Sequence, residues 1–420
     1  MSLPVVAYLG TYALMLARRF DRGLVALAAV GAVLFPPAVF DLAEAGRYIN
    51  WDVLALLVGL MYIGHALDRA GFNVIPAGIV RLTGGHRYAS FVLFGVLVVV
   101  VSALLDNLVA AVILTPVALR LAGRLRMPPL PFLISLIVAA NLGGALTPQG
   151  SVPSMLIATT FDKTLADFLR ACGLPVVLAL TGYLGLARWI FAADLAGSAR
   201  TGGGTPRGPA RPDADGPVAS KPVLGVVIIV YLVVTLVLAD HLELRRGPLI
   251  LGGALGLLYG TRGKLNSLRD IAWSPLLLTG ALFVLVGALS YSGALVLVAR
   301  WLVEAAPVQP TQIPFAALWL GAGVAAAFEE ISAAAVAVPL LVEVGSFDSR
   351  EDAVWALNLG ANFGASASLG GVAATAAMSA AHGFSIPLRA YLRVGLPVTV
   401  YSLLIASAYV WARGWSALGG

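Results

Sequence analysis

Charge is what this chain has least of. Asp, Glu, Lys and Arg make up 11% of its 420 residues against 60% hydrophobic ones, and the mean hydropathy is +0.92. A water-soluble chain of this length needs far more charge on its surface, so the composition is that of an all-α polytopic membrane protein. Cysteine is nearly absent too. Cys172 stands alone, which excludes a disulfide within the chain and a thiolate metal cage. The four histidines have no metal-ligand spacing, so neither a metal centre nor a cofactor is expected. Residues 1–17 lack the basic n-region and cleavage site of a signal peptide and read as a first span. The net charge of +6 comes from basic residues in loops, where it reports orientation in the bilayer, and no nucleic-acid partner is expected.

What the chain has in plenty is long apolar runs. A hydrocarbon core of about 30 Å takes roughly 20 residues per helix. Cut on that rule, residues 1–50 hold two N-terminal spans and residues 51–192 form a first repeat unit. Residues 193–221 are poor in large apolar side chains, rich in Gly, Pro and Arg, and read as a disordered cytoplasmic linker. Residues 222–270 supply two linking spans and residues 271–415 a second repeat unit. Arg18, Arg19 and Arg22 against Asp41 and Glu44 put the N-terminus outside by the positive-inside rule.

Two stretches cannot be ordinary spans. Gly143, Gly144, Pro148, Gly150 and Pro153 interrupt one apolar run, so its helical hydrogen-bond ladder must open within the bilayer. An opened backbone is tolerated there only where protein or a water-filled cavity satisfies it. Asn141, Thr147, Ser151 and Ser154 cluster at this break. A second break holds Asn358, Gly360, Asn362, Ser366 and Ser368, followed by Gly370 and Gly371. Half-helix N-termini offer N–H groups to an anion and half-helix C-termini offer carbonyls to a cation. Close packing of helices through small residues explains glycines alone, but not proline with amide and hydroxyl side chains at two matching places.

The match extends further. Trp51 falls over Trp273, the D-N-L-V-A-A-V-I-L-T-P run ending at Pro116 has the spacing of E-E-I-S-A-A-A-V-A-V-P ending at Pro339, and Asn141-Leu142-Gly143 answers to Asn358-Leu359-Gly360. After its hairpin the first copy carries Arg120, Arg124 and Arg126, where the second carries Glu343, Asp348, Glu351 and Asp352. Equivalent loops thus lie on opposite sides of the membrane. This predicts two inverted-topology repeats with about ten transmembrane helices and two re-entrant hairpins, their broken helices meeting at the midplane. Arg300 and Arg413 fall on the outer side and strain the scheme.

The hairpin turns carry acids: Asp106 beside Asn107 in one, Glu329 and Glu330 in the other. An ionised carboxylate in hydrocarbon is costly, so such residues line polar cavities, hold cations or exchange protons. The plain alternative is a hydrated acid at a hairpin mouth. No basic residue falls inside the expected core, so an anionic substrate has backbone N–H groups, amides, hydroxyls or a bound cation to rely on.

The runs D-N-L-V-A-A-V-I-L-T-P, N-L-G-G-A-L-T-P-Q-G-S-V-P-S and N-L-G-A-N-F-G-A-S-A-S-L-G-G resemble those of the ion transporter superfamily, which includes arsenite permeases, Na+/H+ antiporters and citrate or dicarboxylate permeases. The resemblance implies a scaffold domain and a transport domain moving as an elevator, commonly in a homodimer. By position, Asn141, Thr147, Gly150 and Ser151 fall on the family's first substrate and ion loop, and Asn358, Gly360 and Ser366 on its second; Gly143, Pro148, Ser154, Asn362 and Ser368 at the same breaks join them as candidates to bind substrate or ion. Asp106, Asn107, Glu329 and Glu330 are the candidates for the coupling cation or proton. Two departures stand out: an acidic pair where the second hairpin often carries asparagines, and no T-P-x-G-S in the second break.

The sequence thus predicts a secondary active ion transporter of the cytoplasmic membrane, not an enzyme, closest to an arsenite or anion permease and coupled to H+ or Na+. The alternatives are a Na+/H+ antiporter and a di- or tricarboxylate permease. An intramembrane aspartyl protease would need two facing aspartates, and only Asp106 qualifies.

Overall fold

The computed structural model describes residues 2–16, 22–35, 40–71, 74–196, 222–242, 244–260, 273–294, 312–328, 330–343, 350–368 and 386–418. Most of the expected linker, Arg300, Glu329 and the Gly370-Gly371 end of the second break lie outside these residues. The described chain is helical throughout, as its composition demands, because a helix satisfies every backbone group within its own segment. Helices α1 (Ser2–Leu16), α2 (Arg22–Leu34) and the short α3 (Leu42–Tyr48) precede the first unit. That unit runs α4 (Trp51–Gly71), α5 (Val74–Leu82), α6 (Arg87–Leu105), α7 (Asn107–Leu125), α8 (Leu130–Gly144), α9 (Val152–Thr160), α10 (Leu165–Ile190) and α11 (Ala192–Leu195). Then follow α12 (Pro222–His241), α13 (Arg246–Gly260), α14 (Trp273–Tyr291), α15 (Ile313–Phe328), α16 (Glu330–Glu343), α17 (Arg350–Ala365) and α18 (Leu388–Leu418).

Three of the described segments, Arg87–Leu105, Leu165–Ile190 and Arg389–Arg413, are long and apolar enough to cross a bilayer, and five further apolar helices are shorter. The short ones include α8, whose 15 residues reach about 22 Å at 1.5 Å each. Its continuation α9 adds 9 residues after an irregular stretch. The expected break at Gly143 to Pro153 is therefore present, bounded by the C-terminus of α8 and the N-terminus of α9. The expected hairpin break at Asp106 is present too. Each arm, α6 and α7, has 19 residues, about 28 Å and close to a full crossing.

Asp106 itself has φ 96° and ψ 145°, a backbone conformation nearly reserved for glycine. Its surroundings hold it there. The Asp106 N–H donates to Ser102 O (3.0 Å), its carbonyl accepts from Ala110 (2.9 Å), and the Asn107 N–H donates to Gly150 O (3.0 Å). The strained corner is thus tied to the irregular stretch between α8 and α9.

Among the described residues the two halves place similar elements in the same order: a helix, a helix with proline nine positions after its first residue, and a half-helix packed against the first arm. Asn107 to Pro116 and Glu330 to Pro339 share that spacing. A Cβ at Gly143 would strike the carbonyl of Val99, eight residues before Asn107, and one at Gly364 that of Ala322, eight residues before Glu330. This contact moves the expected register. By this packing Asn141-Leu142-Gly143 corresponds to Asn362-Phe363-Gly364, one helical turn beyond the expected Asn358-Leu359-Gly360. Both segments read N-x-G, and only helix-to-helix packing tells them apart.

Three local features add to this frame. Val74 to Leu82 is helix α5, packed on α7 with Ile79 buried. Helix α10 starts at Leu165. Thr164 and Asp167 form a capping box there, with the Thr164 N–H on Asp167 Oδ2 at 2.9 Å and the Asp167 N–H on Thr164 Oγ1 at 3.3 Å. Arg413, awkward as an outer cation, is paired with Asp352 at 3.2 Å, which removes it from the count of free positive charge.

Candidate functional site

Three helix ends meet beside the Asp106 corner. α8 ends at Gly144 and α17 at Ala365, so both bring C-terminal carbonyls. α9 begins at Val152 behind the N-cap Ser151, whose Oγ accepts from the Ser154 N–H at 3.4 Å. The ends can approach because glycines face one another. A Cβ at Gly150 would lie 2.6 Å from Gly144 O, and one at Gly144 2.6 Å from Asn362 Oδ1.

The side chains between these ends form one buried polar cluster. Asn107 Nδ2 donates to Glu330 Oε1 at 2.5 Å and to Asn141 Oδ1 at 3.3 Å. Asn141 Nδ2 donates to Ser366 Oγ at 3.2 Å, and Tyr391 Oη donates to Ser366 O at 2.5 Å. Ser154 Oγ lies 2.8 Å from both Gly144 O and Asn358 Oδ1. Asn358 Nδ2 donates to Ala145 O at 3.1 Å, and Asn362 Nδ2 to Asn358 O at 2.9 Å. Thr147 Oγ1 donates to Ala103 O, which anchors the irregular stretch to α6.

The structure thus brings Asn107, Glu330, Asn141, Ser366, Ser154, Asn358 and Asn362 into contact across 204 or more positions of sequence. Ser151 Oγ joins through Ser154 Oγ at 3.0 Å. Thr147 and Gly150 act through the backbone of α6 and the hairpin corner. Gly143 and Gly360 are packing positions: a Cβ at Gly360 would strike Leu318 O on α15. Pro148 and Ser368 are buried at the two irregular stretches. Asp106 shapes the corner, its Oδ1 accepting the Val109 N–H at 3.4 Å as an N-cap of α7. Glu329 lies outside the described residues.

The donors and acceptors do not balance. Asn107 and Asn362 spend their amide N–H groups on protein oxygens, Asn358 donates to Ala145 O and Cys172 Sγ, and Asn141 donates to Ser366 Oγ, which fixes how each amide is turned. Three buried oxygens, Gln149 Oε1, Asn362 Oδ1 and Glu330 Oε2, have no hydrogen-bond partner. None of the side chains described in the cluster is basic. What remains to be satisfied is acceptor oxygen, the chemistry a proton, an alkali cation or a donor-rich ligand completes.

Two participants went unrecognised in the sequence. Tyr391 corresponds to Phe168 in the repeat and gains its role from the added hydroxyl. Cys172 is fully buried, 3.4 Å from Asn358 Nδ2. It lies two turns inside α10, which starts at Leu165.

The profile of a family described as citrate transporter matches residues 12–360. An uncharacterized transporter of Mycobacterium tuberculosis is 28% identical over 98% of both chains. The 46 kDa membrane protein of Mycobacterium leprae is also 28% identical over 98% of both. The magnetosome protein MamN of Magnetospirillum gryphiswaldense is 28% identical over 87% of this chain and 88% of that one.

Proposed function

The chain belongs to the citrate transporter family, and from that premise we propose that it is a secondary active transporter of a small carboxylate anion. Membership makes it a multi-pass membrane transporter and not an enzyme. In our reading, Glu330, held through Asn107, carries the coupling proton or monovalent cation. The observation that supports this is the Glu330–Asn107–Asn141–Ser366 chain, which joins an acid on one hairpin to the amide and hydroxyl groups of both breaks. A half-buried glutamate whose Oε2 is buried and unpaired is poised to take up a cation or proton. Since no basic side chain stands in the described cluster, a carboxylate substrate needs a cation bound with it. The same reading places the chain in the cytoplasmic membrane as a homodimer, with α6–α9 and α15–α17 as the moving part.

Purified protein in proteoliposomes tests this with a panel of citrate, arsenite and Na+, the first for the family and the second for the motif resemblance. Citrate accumulation is expected when a proton or Na+ gradient is imposed, and its collapse when an ionophore dissipates the gradient. Citrate flux at the same rate with and without gradients refutes the proposal. Na+/H+ exchange is the second reading, favoured by the unpaired acceptor oxygens. Under it, a Na+ gradient alone acidifies or alkalinises the vesicle interior with no anion present.

A further inference from the structure

The amide cluster is sealed toward one end of the helices by two layers of side chains. α9 runs from the break to Thr160, and α17 runs back from Arg350 to the break. Lys163 follows α9, and Phe168 and Cys172 lie on successive turns of α10. On α17, Glu351, Trp355 and Asn358 occupy one face, four and three residues apart. At the rim, Lys163 Nζ donates to Glu351 Oε1 at 2.8 Å, with side chains 22% and 60% exposed. The Lys163 ammonium also lies 5.6 Å from the centroid of Trp355. One turn deeper, Phe168 and Trp355 meet edge to face at 5.1 Å, both buried. Below them stand Cys172 and Asn358 at 3.4 Å, already part of the cluster. The seven residues from Glu351 to Asn358 put the rim about 10 Å from the site.

We propose that Lys163–Glu351 and Phe168–Trp355 are a two-layer gate between α9, α10 and α17, and that both layers part when the cluster is reached from that face. This rests on the transport reading, since a loaded site must open to each side in turn. The gate is braced from outside: Lys163 O accepts from Arg246 Nη2 at 3.0 Å, and Asn50 Nδ2 donates to Thr159 Oγ1 at 2.9 Å. An opening that parts the layers therefore works against α4 and α13. The ion pair contributes little by itself, and the aromatic pair is the main barrier.

The chain carries its own reporter. Cys172 is its only cysteine and lies directly beneath the aromatic layer. The test is labelling of Cys172 in intact vesicles by the impermeant reagent methanethiosulfonate ethyltrimethylammonium, added from either face. Labelling is slow in the native protein, and its rate follows the population of the open form. Removing the rim charge with Lys163→Gln is expected to speed labelling about 2- to 5-fold, the range of an exposed ion pair. Trp355→Ala is expected to speed it more than about tenfold. Both effects are confined to the face that bears Lys163. The exchange Lys163→Glu with Glu351→Lys is expected to return the rate toward native. Unchanged labelling, or acceleration equal from both faces, overturns the gate. If Trp355→Ala does not fold, Lys163→Gln and the charge exchange decide. Labelling needs no substrate, so the gate stands or falls separately from the transport assignment.

Discussion

Asn358 is fully buried and engages four partners, so its truncation gives a magnitude that can be worked out beforehand. Asn358→Ala removes the bonds to Ala145 O (3.1 Å), Ser154 Oγ (2.8 Å), Asn362 Nδ2 (3.2 Å) and Cys172 Sγ (3.4 Å). Ser154 keeps Gly144 O, and Asn362 keeps the main-chain carbonyl of residue 358, so neither is orphaned. At about 1 kcal/mol net per bond, and less for the sulfur, the loss is about 3–4 kcal/mol. Asn358→Asp costs more, because a carboxylate oxygen would face the Ala145 carbonyl. Asn362→Ala costs about 1 kcal/mol or less, since among the described residues its side chain bonds to Asn358 alone and the change removes an oxygen that is unpaired already. Thermal unfolding in detergent, followed by a maleimide fluorophore reacting with Cys172, reads this directly. At about 2 °C per kcal/mol, Asn358→Ala should lower the midpoint by about 6–8 °C and Asn362→Ala by no more than about 2 °C. A midpoint for Asn358→Ala within about 2 °C of native, or a larger drop for Asn362→Ala, refutes the hydrogen-bond map of the cluster.

Gly143→Ala and Gly364→Ala each drive a Cβ into a main-chain carbonyl and should cost about 1–3 kcal/mol. Gly123→Ala, with open space around it, should be neutral or stabilising by up to about 1 kcal/mol; the same unfolding assay compares all three. At the rim, the hydrogen bond from Lys163 holds the Glu351 carboxyl below its ordinary value against the opposing effect of burial, with the Lys163 charge, the Trp355 indole and Arg413 assisting and Asp352 paired to Arg413 nearby. A depressed carboxylate stabilises the closed form above its ordinary value and loses that effect as pH falls through the lowered one. The difference in Cys172 labelling between native protein and Glu351→Gln should therefore be present at neutral pH and vanish in acid. A difference that persists in acid removes Glu351 ionisation from the gate.

Much of this fold was legible because bilayers leave the backbone few choices. The break after Gly144 and the corner at Asp106 were marked by glycine, proline and polar residues in runs that had no other reason to hold them. The nine-residue spacing to Pro116 and Pro339 carried the correspondence of the halves. What was not legible depended on contact between distant segments. Nothing local shows that Asn107 reaches Glu330, or that Asn362 rather than Asn358 lies opposite Asn141, since both lie in N-x-G and differ by one helical turn. The start of α10 was readable in Thr164-Leu165-Ala166-Asp167, a capping signature. Cys172 and Tyr391 joined the site only once that helix and α18 had been positioned.

Coupling of transport through Glu330 is tested most directly by citrate accumulation under an imposed proton or Na+ gradient in proteoliposomes, comparing native protein with Glu330→Gln. Glutamine keeps an oxygen for Asn107 Nδ2 and removes a charge whose second oxygen is buried and unpaired, so the unfolding midpoint should not fall. Gradient-driven accumulation is expected from the native protein and none from the variant. Accumulation by Glu330→Gln that follows the gradient as the native protein's does would contradict coupling through Glu330.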